Sequence, residues 1–258
     1  MTAADEYPKE GDVRSGVADG VGVVAFSHPK GNALPGALLR RLAATITEVG
    51  ARPDVRVVSL RSTREGPFCA GASFDELMAV QDEQQGKEFF LGFARVVLAM
   101  IRCPKPIVTR VQGKVVGGGV GLVAASDYVI ATEHAQMRLS ELAVGIGPFV
   151  VGPAIQRKIG PGAFGAMALD ADWRTPRWAL EVGLYAQVHD GIPGLDSAYD
   201  GFVAHLAKGN AEATARIKQT LWEGTEHWDE LLDQRAALSG RLVLSEHTRR
   251  AIEAFRSR

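Results

Sequence analysis

Cysteine is nearly absent from this chain of 258 residues: only Cys69 and Cys103 occur, far apart and with no second cysteine at CxxC spacing. That excludes a secreted disulfide framework and a cysteine-ligated zinc site. An excess of one charge is also lacking. The 29 Lys+Arg against 30 Asp+Glu leave a formal net charge of -1, so there is no basic stripe of the kind that nucleic-acid binding requires. Long hydrophobic runs are missing as well. The longest uncharged stretch, Leu142 to Gln156, is broken by Gly and Pro and falls short of the roughly 20 apolar residues of a membrane span. The opening MTAADEYPKE is polar and acidic, without the apolar core of a signal peptide. A cytoplasmic protein with neither membrane nor nucleic-acid partners is expected. Glycine, in contrast, is abundant: the 29 glycines are about 11% of the chain, against a usual level of roughly 7%.

Apolar periodicity alternates between two kinds of segment. Val21–Phe26, Val55–Leu60, Pro106–Val111 and Tyr128–Thr132 are short, β-branched runs that read as strands. Leu38, Leu39, Leu42, Ile46 and Val49 recur at helical spacing, and Phe89, Phe90, Phe93, Val96, Val97, Met100 and Ile101 do the same before Cys103-Pro104. A further helical turn is expected over Phe74–Val80. Strands alternating with helices predict an α/β core with parallel strands. From about residue 148 onward only helices are expected: Phe149–Ile159, Gly162–Leu169, Pro176–Val182, Asp196–Ala207, Ala211–Trp222, Glu226–Leu238 and Ser245–Phe255. Thr175-Pro176 has the form of an N-cap followed by proline at the first helical position.

Three segments carry chemistry. Phe68-Cys69-Ala70-Gly71-Ala72-Ser73-Phe74-Asp75 is a junction of small residues. It suits close approach of a ligand to backbone N–H groups, or simply a tight turn; a nucleophile elbow at Ser73 lacks the required glycine at Asp75. In Val116-Gly117-Gly118-Gly119-Val120-Gly121-Leu122-Val123-Ala124, Gly119, Gly121 and Ala124 satisfy a dinucleotide fingerprint. The segment lies mid-chain and lacks the acidic strand end that should follow, so close helix–sheet contact competes with that reading. In Leu139-Ser140-Glu141-Leu142-Ala143-Val144-Gly145, Glu141 is surrounded by apolar residues and glycine. Such a carboxylate is expected to have a raised pKa suited to proton transfer, unless it merely complements a helix start capped by Ser140.

In their order, FSHPKGNAL, FCAGASFDEL, GKVVGGGVGLVAASDYVIAT and LSELAVGIGP resemble the crotonase (enoyl-CoA hydratase/isomerase) superfamily. The resemblance runs from about residue 14 onward. It implies a crotonase-like β-β-α spiral core and a C-terminal α-helical trimerisation region, with a division at 1–195 and 196–258. It also implies acyl-CoA thioester substrates, no cofactor beyond the coenzyme A of the substrate, no metal, and assembly as a homotrimer or dimer of trimers. By motif position, the backbone N–H groups of Ala72 and Gly118 are the implied oxyanion donors and Glu141 the implied proton shuttle. Ala33, Ala70, Ala72, Gly117 and Gly118 are implied to line the coenzyme A path, Lys30 to meet a phosphate, and Phe255 to reach the adenine.

The chemistry fits these positions. A thioester oxygen gains charge as the α-proton leaves, and two converging N–H donors stabilise it more in the transition state than before it. One departure stands out. Hydratases of the family carry a second glutamate shortly after GGG, where this chain has Gly121, a pattern associated with isomerases. Decarboxylation, thioester hydrolysis and coenzyme A binding with little activity are the alternatives. Asp75 and Glu76 could replace the absent carboxylate, though such a pair usually forms the solvated face of a helix start. His134 is expected on the surface rather than in a triad with Ser140. The helix around Phe89–Ile101 is expected to wall an acyl pocket, and Trp222 and Trp228 to serve packing. Ten of the 29 glycines lie between Gly113 and Gly162, which locates the excess at the motifs.

Overall fold

A computed structural model describes residues 9–63 and 66–256; the side chains of residues 252, 253, 255 and 256 fall outside that description. Five strands run parallel: β2 (Val21–Ser27), β3 (Val57–Ser62), β4 (Ile107–Val111), β6 (Tyr128–Thr132) and β8 (Gln187–His189). With β1 (Asp12–Ala18) antiparallel to β2 at one edge, the sheet order is β1-β2-β3-β4-β6-β8. A second sheet pairs β5 (Val115–Val116) with β7 (Met137–Arg138). The central strands are buried and rich in Val, Ile and Leu, as parallel strands covered on both faces must be.

One face of the sheet is covered by α1 (Gly36–Ala51) and α3 (Glu83–Arg102). Leu38, Leu39, Leu42, Ile46 and Val49 of α1 are buried, the stripe that their spacing predicts. The other face is covered by α7 (Gly191–Lys208), through Leu195, Tyr199 and Val203 against Val57, Val108 and Ile130. The Tyr199 hydroxyl is paired inside this layer, 2.8 Å from Ser59 Oγ and 3.1 Å from the Val108 carbonyl. α7 starts at Gly191 and belongs to the sheet, so the expected division after residue 195 falls within it.

The elements expected from periodicity are present with shifted ends. The strand expected over Val55–Leu60 is Val57–Ser62, and the helix through Phe89 begins earlier, where Asp82 accepts a bond from Gln85 N at 2.8 Å. α2 (Phe74–Met78) follows the small-residue junction and α4 (Gly118–Ala125) follows the glycine run. The two helices expected from Phe149 to Leu169 are α5 (Gly152–Asp170), bent at Gly160, where φ is +76° ahead of Pro161. In α6 (Pro176–Glu181), Thr175 Oγ1 accepts from Trp178 N at 3.1 Å, the cap that Thr-Pro predicts. α8 (Ala211–Leu221), α9 (Trp228–Val243) and α10 (Glu246–Arg256) complete the chain. Strands β1, β5, β7 and β8 were not expected. β1 is half-exposed and β5 and β7 have two residues each, so none presents an apolar run.

α9 lies against α3 at backbone distance. A Cβ placed on Gly86 of α3 would sit 2.7 Å from Gly240 Cα, and one on Gly240 only 2.4 Å from Lys87 N. Lys87 Nζ–Asp233 Oδ2 at 2.8 Å and Arg102 Nη1–Asp229 Oδ1 at 2.7 Å bridge the same helices. This contact closes one side of the cavity described next.

Candidate active site

A cavity of about 430 Å³ opens between the junction before α2, the start of α4, the segment after β7 and the helices α3 and α9. Ala33, Ala70, Ala72, Gly117, Gly118 and Glu141 all line it. The three sequence-distant motifs therefore meet at one place. Their meeting is built by backbone pairing: Leu34 bridges Ala72, and Cys69 bridges Val115. At the first bridge, Leu34 N donates to the Gly71 carbonyl (2.8 Å) and Ser73 N to the Leu34 carbonyl (3.1 Å). The N–H of Ala72, which lies between those bonds, consequently points to the other side of its chain. Gly118 is the first residue of α4, and the first N–H groups of a helix have no partner within it.

Glycine at 117 and 118 is a steric requirement. Gly117 has φ +54° and ψ −124°, a conformation that side chains rarely allow, and a Cβ there would stand 3.3 Å from Glu141 Oε1. A Cβ on Gly118 would lie 2.5 Å from the Phe93 ring. The bare backbone thus lets the carboxylate and the aromatic wall close around the helix start. Ser73 is no nucleophile here: its Oγ caps α2 by accepting from Glu76 N at 3.3 Å, a task that serine and aspartate share. Nor is Cys69, whose thiol is pushed up to about 12 by burial.

Glu141 immediately precedes a turn of 3-10 helix at Leu142–Val144. Its carboxyl is raised to about 7 by burial, against which the N–H groups of Glu141 and Ser140 pull weakly. Its Oε2 is buried without a hydrogen-bond partner. An unsatisfied oxygen on a buried acid is costly when ionised, so the group is held near the point at which it gives and takes a proton at neutral pH. Among the described lining residues Glu141 is the one acid and Arg138 the one base. Arg138 is anchored through Nε to the Ala171 carbonyl. The remaining wall is largely apolar, with Phe74, Phe89, Phe90 and Phe93 contributed by α2 and α3.

Other expected residues lie elsewhere. Lys30 is 67% exposed and ion-paired with Asp75, and Glu76 Oε2 accepts from Gly36 N at 2.7 Å; none of the three lines the cavity. Phe255 is in α10, with its side chain outside the described residues. His134 is exposed beside Glu133. Trp222 and Trp228 are buried and pack edge to face. The dinucleotide alternative fails on space, because Gly119 backs onto Cys69 and a Cβ on Gly121 would meet Val151 Cγ1 at 2.3 Å. Gly121 is buried and takes no part in the lining. The sequence reading missed Arg138, Trp173 and Ser239. Ser239 had a signal: it falls on the apolar face of α9 with Trp228, Leu232, Ala236 and Val243. No helix among the described residues is long and apolar enough to cross a membrane.

Comparison with known proteins agrees with this geometry. A family profile described as Enoyl-CoA hydratase/isomerase matches residues 16–257. The chain is 31% identical over 168 residues to the Bacillus subtilis (strain 168) protein named Putative enoyl-CoA hydratase/isomerase YngF. It is 34% identical over 124 residues to a Rhodococcus jostii (strain RHA1) protein named as a carboxyl-CoA hydrolase. Those matches span 64% and 48% of the two relatives' own lengths. Among solved structures, an enoyl-CoA hydratase from Mycobacterium avium superposes with a TM-score of 0.83 at 27% identity, over 100% of this chain and 97% of that one.

Proposed function

Because the chain belongs to the enoyl-CoA hydratase/isomerase family, the crotonase superfamily, we propose that it is an enzyme acting on acyl-CoA and that its reaction is that of an enoyl-CoA hydratase/isomerase working through a thioester enolate. The observation that carries the reading is Glu141. It is the one carboxylate among the described lining residues, with one buried, partnerless oxygen, beside the glycine-lined start of α4.

The thioester oxygen would take the N–H groups of Ala72 and Gly118, and coenzyme A would pass Ala33 and Ala70. Lys30, on the surface, would meet a phosphate. As the α-proton leaves for Glu141, charge moves onto the thioester oxygen, where the two N–H groups would receive it. Preorganised donors of this kind contribute about 2.7–4 kcal/mol each. Glu141 can then return the proton to another carbon of the chain, which moves the double bond. One carboxylate suffices for that exchange. Hydration also needs water to be activated, and one group would have to serve in both steps. The single acid therefore favours isomerisation within the hydratase/isomerase pair. Thioester hydrolysis is the second reading, favoured by the 34% identity to the Rhodococcus jostii hydrolase.

The test is turnover of a 3-enoyl-CoA, a 2-enoyl-CoA and a saturated acyl-CoA by the purified protein. Migration of the double bond in the first, lost in Glu141→Gln, supports the proposal; release of free thiol from the third without either enoyl reaction replaces it with hydrolysis. We further propose that residues 196–258 serve packing and assembly in a homotrimer or dimer of trimers. Exposed Ile217 and Leu221 of α8 support an apolar contact surface, and light scattering of the eluted protein gives the mass that checks it.

A further inference from the structure

One hydroxyl on the cavity wall has no use in the chemistry above. Ser239 lines the cavity from α9, is 1% exposed, and its Oγ is buried with no hydrogen-bond partner. A helical serine ordinarily satisfies its hydroxyl on the carbonyl one turn back, and Ser239 does not. Buried polar groups left in this state are rare and call for an explanation in what the site binds. Among the described residues Glu141 Oε2 is the other orphaned atom of the same kind, and Glu141 lines the same cavity. Neither atom satisfies the other, so a ligand reaching both would have to bring a polar function to each.

The position of Ser239 is fixed. Its neighbour Gly240 is pressed against Gly86 and Lys87 at backbone distance, and the Lys87–Asp233 and Arg102–Asp229 pairs hold α9 on α3. The helix cannot roll to take the hydroxyl out to solvent without opening that contact. Phe90, which lines the same cavity, and Val243, one turn further along α9, are apolar, so neither side chain offers the hydroxyl an acceptor. A plain hydrocarbon chain entering here would fill the aromatic wall and leave the Ser239 hydroxyl unmatched.

We propose that Ser239 is a specificity-determining residue that donates its hydroxyl to an accepting oxygen, oxo or carboxylate, on the acyl chain of the thioester. The inference rests on the acyl-CoA reading above and narrows it to acyl groups that carry a second oxygen function away from the thioester. Oxo and carboxylate chains present the same acceptor, and the test separates them.

Unreactive thioethers of coenzyme A with chains of equal length, ending in a methyl, a methyl ketone or a carboxylate, are titrated calorimetrically into the wild-type protein and into Ser239→Ala. Expected is a preference of about tenfold or more for the ketone or the carboxylate over the hydrocarbon, which disappears in Ser239→Ala. Ser239→Cys, with a weak donor in nearly the same volume, is expected to fall between the two. Circular dichroism of each variant checks that α9 is still folded. Equal binding of all three chains by the wild type, or a polar preference that survives in Ser239→Ala, overturns the proposal. Failure of all three thioethers and of coenzyme A itself to bind would instead remove the acyl-CoA reading, so the two failures are told apart.

Discussion

Two buried carboxylates, Asp127 and Glu141, lie on opposite sides of the α4 unit and are treated in opposite ways. Both oxygens of Asp127 are bonded. Its Oδ2 accepts from Lys218 Nζ and from Ile107 N, both at 2.6 Å, and its Oδ1 from Trp222 Nε1 at 2.8 Å. The Lys218 ammonium, 3% exposed, also reaches the Met100 carbonyl. Nearby, Lys158 donates to the Ser126 carbonyl at 2.6 Å, its pKa lowered chiefly by burial. Asp127 thereby ties α8 to the start of β4. Glu141 has an oxygen with no partner and a carboxyl raised to about 7. Burial is common to both; satisfaction is not. A buried acid with donors on both oxygens is a structural joint, whereas one with an oxygen left without a donor is held ready for a proton.

That contrast can be broken from either side. The largest effect is expected from Glu141→Gln, which keeps the shape and removes the proton acceptor: turnover of the enoyl-CoA substrate should fall by about 10²–10⁴-fold, with melting unchanged or improved. Asp127→Ala should do the reverse. It strands the Lys218 charge in the interior and should cost about 3–5 kcal/mol of stability, read by urea denaturation; a loss below about 1 kcal/mol would mean that the joint is dispensable.

The pH dependence comes next. The folded-state pKa of Glu141 lies above the ordinary carboxylate value of 4.5, so its contribution to stability is complete below about pH 4.5 and is lost as pH rises towards 7. The shift corresponds to about 3 kcal/mol. Wild type should therefore lose stability relative to Glu141→Gln between those pH values, while kcat/KM rises over the upper part of the window as the base form appears. Parallel stability curves for the two proteins would contradict the raised pKa. The smallest effect sharpens the α4 side of the comparison. Gly121→Ala forces a methyl onto Val151 and should cost about 1–3 kcal/mol, largely recovered when Val151→Ala is added, as a double-mutant cycle would show. The same crowding means that a glutamate at 121 has no room unless Val151 is also reduced.

Much of this was legible from the sequence where the information is local. The α1 and α3 stripes, the Thr175 cap and the break before Pro161 follow from spacing and from single residue types. The meeting of Ala72, Gly118 and Glu141 followed from motif order, because family resemblance supplies the long-range pairing that periodicity lacks. β1 was not expected because DVRSGVA is half-exposed and interrupted by glycine and arginine. The cavity wall from α9 was missed for another reason: its contact with α3 joins residues 146 positions apart, and no local pattern encodes a pairing at that distance. The serine on the apolar face of α9 was visible, but its significance depends on what faces it.

The glycine-to-glycine seam between α3 and α9 also sets an order of events in time. The strand frame and the aromatic wall of α3 are complete in sequence well before Ser239 is added, and the loop that the seam closes spans more than half the chain. Closing so long a loop is slow in folding and late in synthesis. A chain emerging from the ribosome therefore carries Ala72, Gly118 and Glu141 well before the α9 residues near 240, and before Thr248, whose hydroxyl bonds the Gly145 carbonyl at 3.0 Å. The seam thus makes the α9 wall, and with it the proposed choice of substrate, among the last parts of the cavity that synthesis supplies.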